Sequence, residues 1–180
     1  NSGDAWGMGI VGDTLFVSVA SNGGWPDYYD GKGGIAQWDI LNDNWSTDIL
    51  PAGQVDRVTA YQASSGEMWI SWGENKLELY AQNNTLIDSW DSTDGLEFPI
   101  REIIEFDGKV LFATEDGVAR FDPANGNWTS TWEEGNGLPN NAGSEIYELW
   151  TNGVDLVVGG GDGSSGWGGF QGGAISHWNG

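Results

Sequence analysis

The sequence predicts an all-β protein, a β-propeller or a propeller segment built from four-stranded antiparallel blades. Three observations carry that reading. A pattern running Gly117-Val118-Ala119-Arg120-Phe121-Asp122-Pro123-Ala124-Asn125-Gly126-Asn127-Trp128 recurs, altered, from Gly34 to Trp45. It returns in outline from Leu77 to Leu86 and begins again at Gly173. Copies spaced ~40 to 45 residues apart point to stacked small sheets. No helical apolar period persists through a helix-length window of the 180 residues, so helix content should be near zero. The 12 Trp and 30 Gly supply large buried rings and tight turns.

Each repeat reads as four strands. The second is the clearest: Leu15-Phe16-Val17-Ser18, Met68-Trp69-Ile70-Ser71, Val110-Leu111-Phe112-Ala113 and Leu156-Val157-Val158-Gly159. Such short apolar runs suit a strand covered on both faces. Turns precede them at Val11-Gly12-Asp13, Ser65-Gly66-Glu67, Asp107-Gly108-Lys109 and Asn152-Gly153, where Gly, Asn and Asp tolerate the positive φ of tight hairpins. First strands run from Ala5 to Val11, Val55 to Gln62, Ile100 to Phe106 and Glu145 to Thr151. In the last two, Ile and Leu alternate with Glu, as in an inner strand with one wetter edge. Third strands end on Trp38, Tyr80, Phe121 and Trp178. An Asn/Asp/Gly turn then leads to a fourth strand, such as Trp128-Thr129-Ser130-Thr131-Trp132.

Units of this size that bury both faces against neighbours are propeller blades. Approximate blade bounds are 1–53, 54–96, 97–139 and 140–180, in one array without a linker. The last blade lacks its outer strand. Two readings stay open: a piece of a larger propeller, or a blade completed by a neighbour's strand at an exposed edge. The repeat interrupted at Trp178-Asn179-Gly180 favours the first.

Charge narrows the function classes. The net charge is −21, from 27 acidic and 6 basic residues. Nucleic acid is a poor partner, because no basic stripe can displace counterions from phosphate. Anionic membrane surfaces are disfavoured for the same reason, and no apolar run is long enough for membrane insertion as a helix. With no Cys there is no disulfide framework and no thiolate metal site. Asn1 suggests a processed start, with any targeting segment upstream.

Leu111-Phe112-Ala113-Thr114, the run from Gly117 to Pro123, and Gly137-Leu138-Pro139-Asn140-Asn141 leading to Ile146 and Leu149 carry a family resemblance. These residues resemble the propeller repeat of periplasmic sensor regions in hybrid two-component regulators. In that family Leu-Pro-x-Asn opens a blade and aromatic-Asp-Pro closes the third strand. The match covers about half the chain well and the rest in outline. It implies a recognition propeller outside the cytoplasm, without catalysis, often of seven blades. The first repeat departs from the pattern, lacking Leu-Pro-x-Asn, and the first and fourth repeats carry long insertions. The heavy acidity and the Asn-Trp-Thr-Ser-Thr-Trp run are also similar to acidic, repeat-rich archaeal surface proteins.

The insertions are the best functional hint, since both lie between second and third strands where the other repeats use short hairpins. One spans Ala20 to Gly33 and the other Gly160 to Gly172. Trp25, Tyr28, Tyr29, Trp167 and Phe170 would stack on sugar rings or anchor a protein partner. Asp27, Asp30 and Asp162 would supply polar contacts. The competing reading folds these loops over their own blades and buries the rings. Calcium is a candidate ion at Asp27 and Asp30, at Asp91 and Asp94, or at Asp162, although none has EF-hand spacing. Asn44, Asn83 and Asn127 head glycosylation sequons near the turn between third and fourth strands. His177 is the single histidine and reads as a strand surface residue, which leaves a serine triad or histidine metal centre unsupported.

The expectation is therefore a non-enzymatic, extracellular or cell-surface (or periplasmic) binding scaffold, needing no cofactor beyond a candidate Ca²⁺. Its ligand would be carbohydrate or protein, taken through the two long loops. The alternatives are a surface or filament protein that self-associates through blade edges, and a propeller lyase or hydrolase.

Overall fold

Tight turns set the strand pairing. Asp107 (φ 49°) and Gly108 (φ 70°) form a hairpin turn with two positive φ angles, whose twist matches that of the strands it joins. It links Glu102–Phe106 to Lys109–Thr114, and the ladder closes at Lys109 opposite Phe106. The computed structural model describes residues 4–20, 34–47, 58–72, 76–83, 85–138, 145–162 and 171–178. They fall into two units, Asn1–Asp94 and Gly95–Gly180. Every sheet is predominantly antiparallel, and a single 3₁₀ turn at Ser92–Asp94 is the only helical element among the described residues.

The first unit holds β1 (Asp4–Val11), β2 (Thr14–Ala20), β3 (Gly34–Asp39), β4 (Asn44–Thr47), β5 (Val58–Gln62), β6 (Met68–Trp72), β7 (Lys76–Tyr80) and β8 (Leu86–Asp91). Two meanders, β1–β4 and β5–β8, meet where β1 runs parallel to β5 with Ile10 opposite Tyr61. Gly9 is required at this joint: a Cβ there would lie 2.6 Å from the Ala60 amide nitrogen. The Gly12 amide donates to Gln62 Oε1 at 2.9 Å beside it.

The second unit holds β9 (Glu102–Phe106), β10 (Lys109–Thr114), β11 (Gly117–Asp122), β12 (Asn127–Glu134), β13 (Gly137–Leu138), β14 (Glu145–Thr151), β15 (Leu156–Asp162) and β16 (Gln171–Trp178). One sheet is ordered β9 to β13 and the other is β14-β15-β16. The sequence reading did not anticipate β13, which pairs in parallel with β12 through Glu133 opposite Gly137. Its Leu138 is buried in the unit's core.

Strand alternation gives each meander an A face and a B face. In β1–β4 the A face carries Met8, Ile10, Leu15, Val17, Trp38 and Trp45, and the B face carries Val11, Thr14, Phe16 and Gln37. Val11 and Phe16 form a core with Val58, Ile70 and Trp72, which lie on the A face of β5–β8. In the second unit Phe106, Leu111, Ala113 and Val118 occupy the B face of β9–β12. They pack on Ile146, Leu149, Leu156 and Val158, the A face of β14–β16. Both internal interfaces therefore join the B face of one meander to the A face of the next, although in the first unit the two meanders share one eight-stranded sheet through β1 and β5. Packing of this kind excludes water from apolar side chains, each stabilising by about 1.5–3 kcal/mol when fully buried.

The strand expectations fit this architecture with small boundary shifts. β9 begins at Glu102 rather than Ile100, and of the strand expected from Val55 to Gln62, residues 55–57 lie outside the described residues. Arg101 still pairs with the sheet, its amide donating to the Ala113 carbonyl at 2.9 Å. The aromatic-Asp turn also has a local cause. The Asp39 carboxylate accepts from the Leu41 and Asn42 amides at 3.0 Å, and Asp122 accepts from the Ala124 amide at 3.0 Å. Each aspartate thereby closes the turn that its repeat position demands.

Candidate binding cleft and loop surface

An open cleft of about 360 Å³ lies between the first two meanders. Val11, Thr14, Phe16 and Gln37 line it from the B face of β1–β4. Met68, Ile70, Trp72 and Tyr80 line it from the A face of β5–β8. The sequence reading singled out none of these residues as a site. Their pattern held no warning of a cleft, because a half-filled interface and a filled one have the same alternation.

Behind the cleft wall sits Glu78, a carboxylate only 5 % exposed. Its residence in a strand interior is explained by its donors. The Trp72 indole N–H and the Tyr80 hydroxyl both donate to Oε2, the latter at 2.6 Å, and Lys76 pairs with Oε1. Burial pushes the Glu78 pKa up, but the donors from Lys76, Tyr80 and Trp72 outweigh it and hold the carboxyl below its usual range. Burial and the Glu78 charge raise Tyr80. At neutral pH the wall therefore presents a satisfied carboxylate and a neutral phenol. Such a carboxylate is a poor general base, since its lone pairs are already occupied. What the lining offers is ring and aliphatic surface with the Gln37 amide and Thr14 hydroxyl, a lining suited to a neutral ligand with an apolar face.

The loop residues singled out from the sequence are placed as follows. Trp25, Asp27, Tyr28, Tyr29, Asp30, Trp167 and Phe170 lie outside the described residues. Asp162 ends β15, with its backbone opposite Gln171. The two insertions leave from Ala20 and Asp162 and return at Gly34 and Gln171, so both extend a second-to-third-strand hairpin.

Asp91 and Asp94 serve their own turn. Asp91 Oδ1 accepts from the Thr93 amide at 2.7 Å, and Asp94 Oδ2 accepts from the Asp91 amide at 2.9 Å. Among the described residues no three His, Cys, Asp or Glu side chains group as a metal site would require. Asn44, Asn83 and Asn127 are exposed, and all three lie at turns between third and fourth strands. His177 is exposed on β16, with Nε2 3.1 Å from Asp155 Oδ1.

Lys76, Arg101, Lys109 and Arg120 are the described cations, and each is engaged within the chain. Lys76 pairs with Glu78, and Lys109 lies 3.0 Å from Asp122. Arg101 bridges Glu115 and Glu145, both at 3.1 Å, and stacks over Tyr147. Arg120 donates to the Ser130 carbonyl at 2.8 Å and lies over the Trp132 ring. The remaining charge is largely carboxylate, a field that repels polyanions.

No family model and no curated protein matches the chain. Solved structures do. An extracellular domain from B. thetaiotaomicron, of a protein described as the hybrid two component system BT3049, is similar with a TM-score of 0.60 and 16% identity. That likeness covers 88% of this chain and 21% of that one. The corresponding domain of BT4673, from the same organism and also described as a hybrid two component system, gives 0.54 at 17% identity, over 87% of this chain and 20% of that one. BamB from Moraxella catarrhalis gives 0.52 at 11% identity, over 85% and 39%. The chain thus spans about a fifth of the length of the two extracellular domains. At these identities the likeness is one of fold. Among the described residues no helix is long and apolar enough to cross a membrane.

Proposed function

We propose that the chain is a β-propeller segment that acts outside the cytoplasm as a non-catalytic recognition module for a neutral carbohydrate or protein ligand. Its four repeats, with bounds near 1–53, 54–96, 97–139 and 140–180, are the blades. The observation that carries the reading is the cleft between the two meanders of the first unit, walled by Trp72, Tyr80, Phe16 and Gln37, with the carboxylate behind it already bonded to three donors. A rigid apolar recess with a few polar groups is the ordinary form of a small-ligand site. Fold likeness to extracellular domains supports the compartment. The loops bearing Trp25, Tyr28, Tyr29, Asp27, Asp30, Asp162, Trp167 and Phe170 form a second contact surface in this reading. Calcium at their aspartates and glycans at Asn44, Asn83 and Asn127 belong to it as well.

Glycan and peptide arrays probed with the wild-type chain test this reading. A ligand from either array is expected, with Gln37→Ala weakening it about tenfold, as loss of one good polar contact does. Alanine replacement of Trp25, Tyr28 and Tyr29 together, or of Trp167 and Phe170, separates loop binding from cleft binding. Turnover of the bound ligand would overturn the non-catalytic assignment. Absence of any ligand would overturn the recognition role.

A second reading, self-association by strand addition, rests on β16. This eight-residue strand is the edge of its sheet among the described residues. Proline substitutions along its outward-facing backbone would abolish such pairing.

A further inference from the structure

Both internal interfaces place a B face on an A face, and of the four faces they leave, the A face of β1–β4 and the B face of β14–β16 carry exposed large apolar side chains. On the A face of β1–β4, Met8 is 68%, Ile10 58% and Trp45 55% exposed. Leu15, Val17 and Trp38 are half-buried beside them, and Trp38 stacks on Trp45 with ring centroids 5.9 Å apart. On the B face of β14–β16, Trp150 is 58% and Ile175 81% exposed on either side of the half-buried Val157, and the exposed His177 and Glu148 share that face. Large apolar side chains exposed together on a sheet face mark an interaction site. We infer that a second copy of this chain covers each face, head to tail, with the Trp150 and Ile175 face of one copy seated on the Ile10 and Trp45 face of the next.

The occupant follows from continuity with the interfaces already in the chain. An A face is covered in each unit by a B face, with the first strand of the A-face meander, β5 or β14, lying beside the first two strands of the other. The free B face of β14–β16 is the kind of surface that the free A face of β1–β4 requires. Two different patches make the contact heterologous, so it propagates or closes into a ring rather than stopping at a symmetric pair. It uses sheet faces and is distinct from strand addition at β16. A net charge of −21 per copy opposes association, so assembly strengthens as salt screens the repulsion.

Sedimentation velocity on the wild-type chain, from micromolar to millimolar concentration at low and high salt, reads the assembly directly. Species larger than a monomer are expected, increasing with salt. The Ile10→Glu/Trp45→Glu and Trp150→Glu/Ile175→Glu double variants should each sediment as monomers. Their equimolar mixture should give a dimer and nothing larger, because one intact A face and one intact B face remain. The uncharged pairs Ile10→Thr/Trp45→Gln and Trp150→Gln/Ile175→Thr repeat the test if a charged variant fails to fold. The absence of Cys allows a second readout: Ile10→Cys and Trp150→Cys copies should form a mixed disulfide in preference to either self-linked product. A monomeric wild type at all concentrations would overturn the inference. So would self-association of either double variant, or preferential self-linking of the Ile10→Cys copy.

Discussion

Glu78→Ala removes the acceptor shared by two neighbouring donors, and its cost can be worked from their positions. Trp72 is buried and donates its indole N–H to the lost carboxylate, as does the part-buried Tyr80 hydroxyl. A buried donor left without an acceptor costs about 1–3 kcal/mol, so the pair gives about 2–6 kcal/mol, toward the lower end because the Tyr80 hydroxyl is only part-buried. Lys76 is half exposed, and its ion pair adds at most about 1 kcal/mol because water screens it. In a chain of this size each kcal/mol lowers Tm by about 2–4 °C. Glu78→Gln keeps one acceptor oxygen and should fall between the two. Urea melts followed by tryptophan fluorescence and far-UV circular dichroism give the difference.

The pH dependence is a second arm of the same experiment. Glu78 titrates below its unfolded value when folded, so its stabilisation is fully present above the unfolded pKa. It disappears as pH falls through the lower folded pKa, and that loss should be missing from the Gln variant. An Ala variant within about 0.5 kcal/mol of wild type would refute the bonding assigned to Glu78.

Three further outcomes follow from named contacts. Glu102 is shifted the other way, raised first by burial and then by the Glu148 charge. Its ionised form therefore costs more in the fold than in the unfolded chain, so Glu102→Gln should raise Tm at pH values where the wild-type carboxyl ionises on unfolding, with the gain vanishing as pH falls below the unfolded carboxylate pKa. Gly117→Ala sets a Cβ 2.2 Å from the Trp132 carbonyl oxygen at φ +121°, and a thermal melt should show a loss of about 2–5 kcal/mol from backbone strain and overpacking. Gly9→Val should separate β1 from β5, seen as faster amide exchange at Ile10 and Tyr61 with the β9–β12 sheet unchanged.

Elements set by local chemistry were legible in the sequence. The Asp107-Gly108 turn, the Asx turns at Asp39 and Asp122, and the four second strands β2, β6, β10 and β15 depend on residues adjacent to one another. Face assignment was only partly legible. Alternation separates Phe16 from Leu15, but nothing local says which of the two meets the next sheet. Glu78 was hidden for a similar reason: it reads as a polar strand position until Trp72 is seen to fold back over it. β13 is two residues long, below any periodicity. Gly137 permits it, since a Cβ there would strike the Trp132 indole at 2.3 Å. The cleft is the least legible feature, because it arises from the spacing of two meanders whose residues are ordinary core types.

The recognition claim rests on the Trp72 side of the cleft, and indole NMR resonances test it most directly. A ligand selected on the arrays should shift the Trp72 indole N–H saturably, while the Trp150 indole stays fixed. Saturable binding that leaves the Trp72 resonance unmoved would contradict the assignment of this cleft as the site.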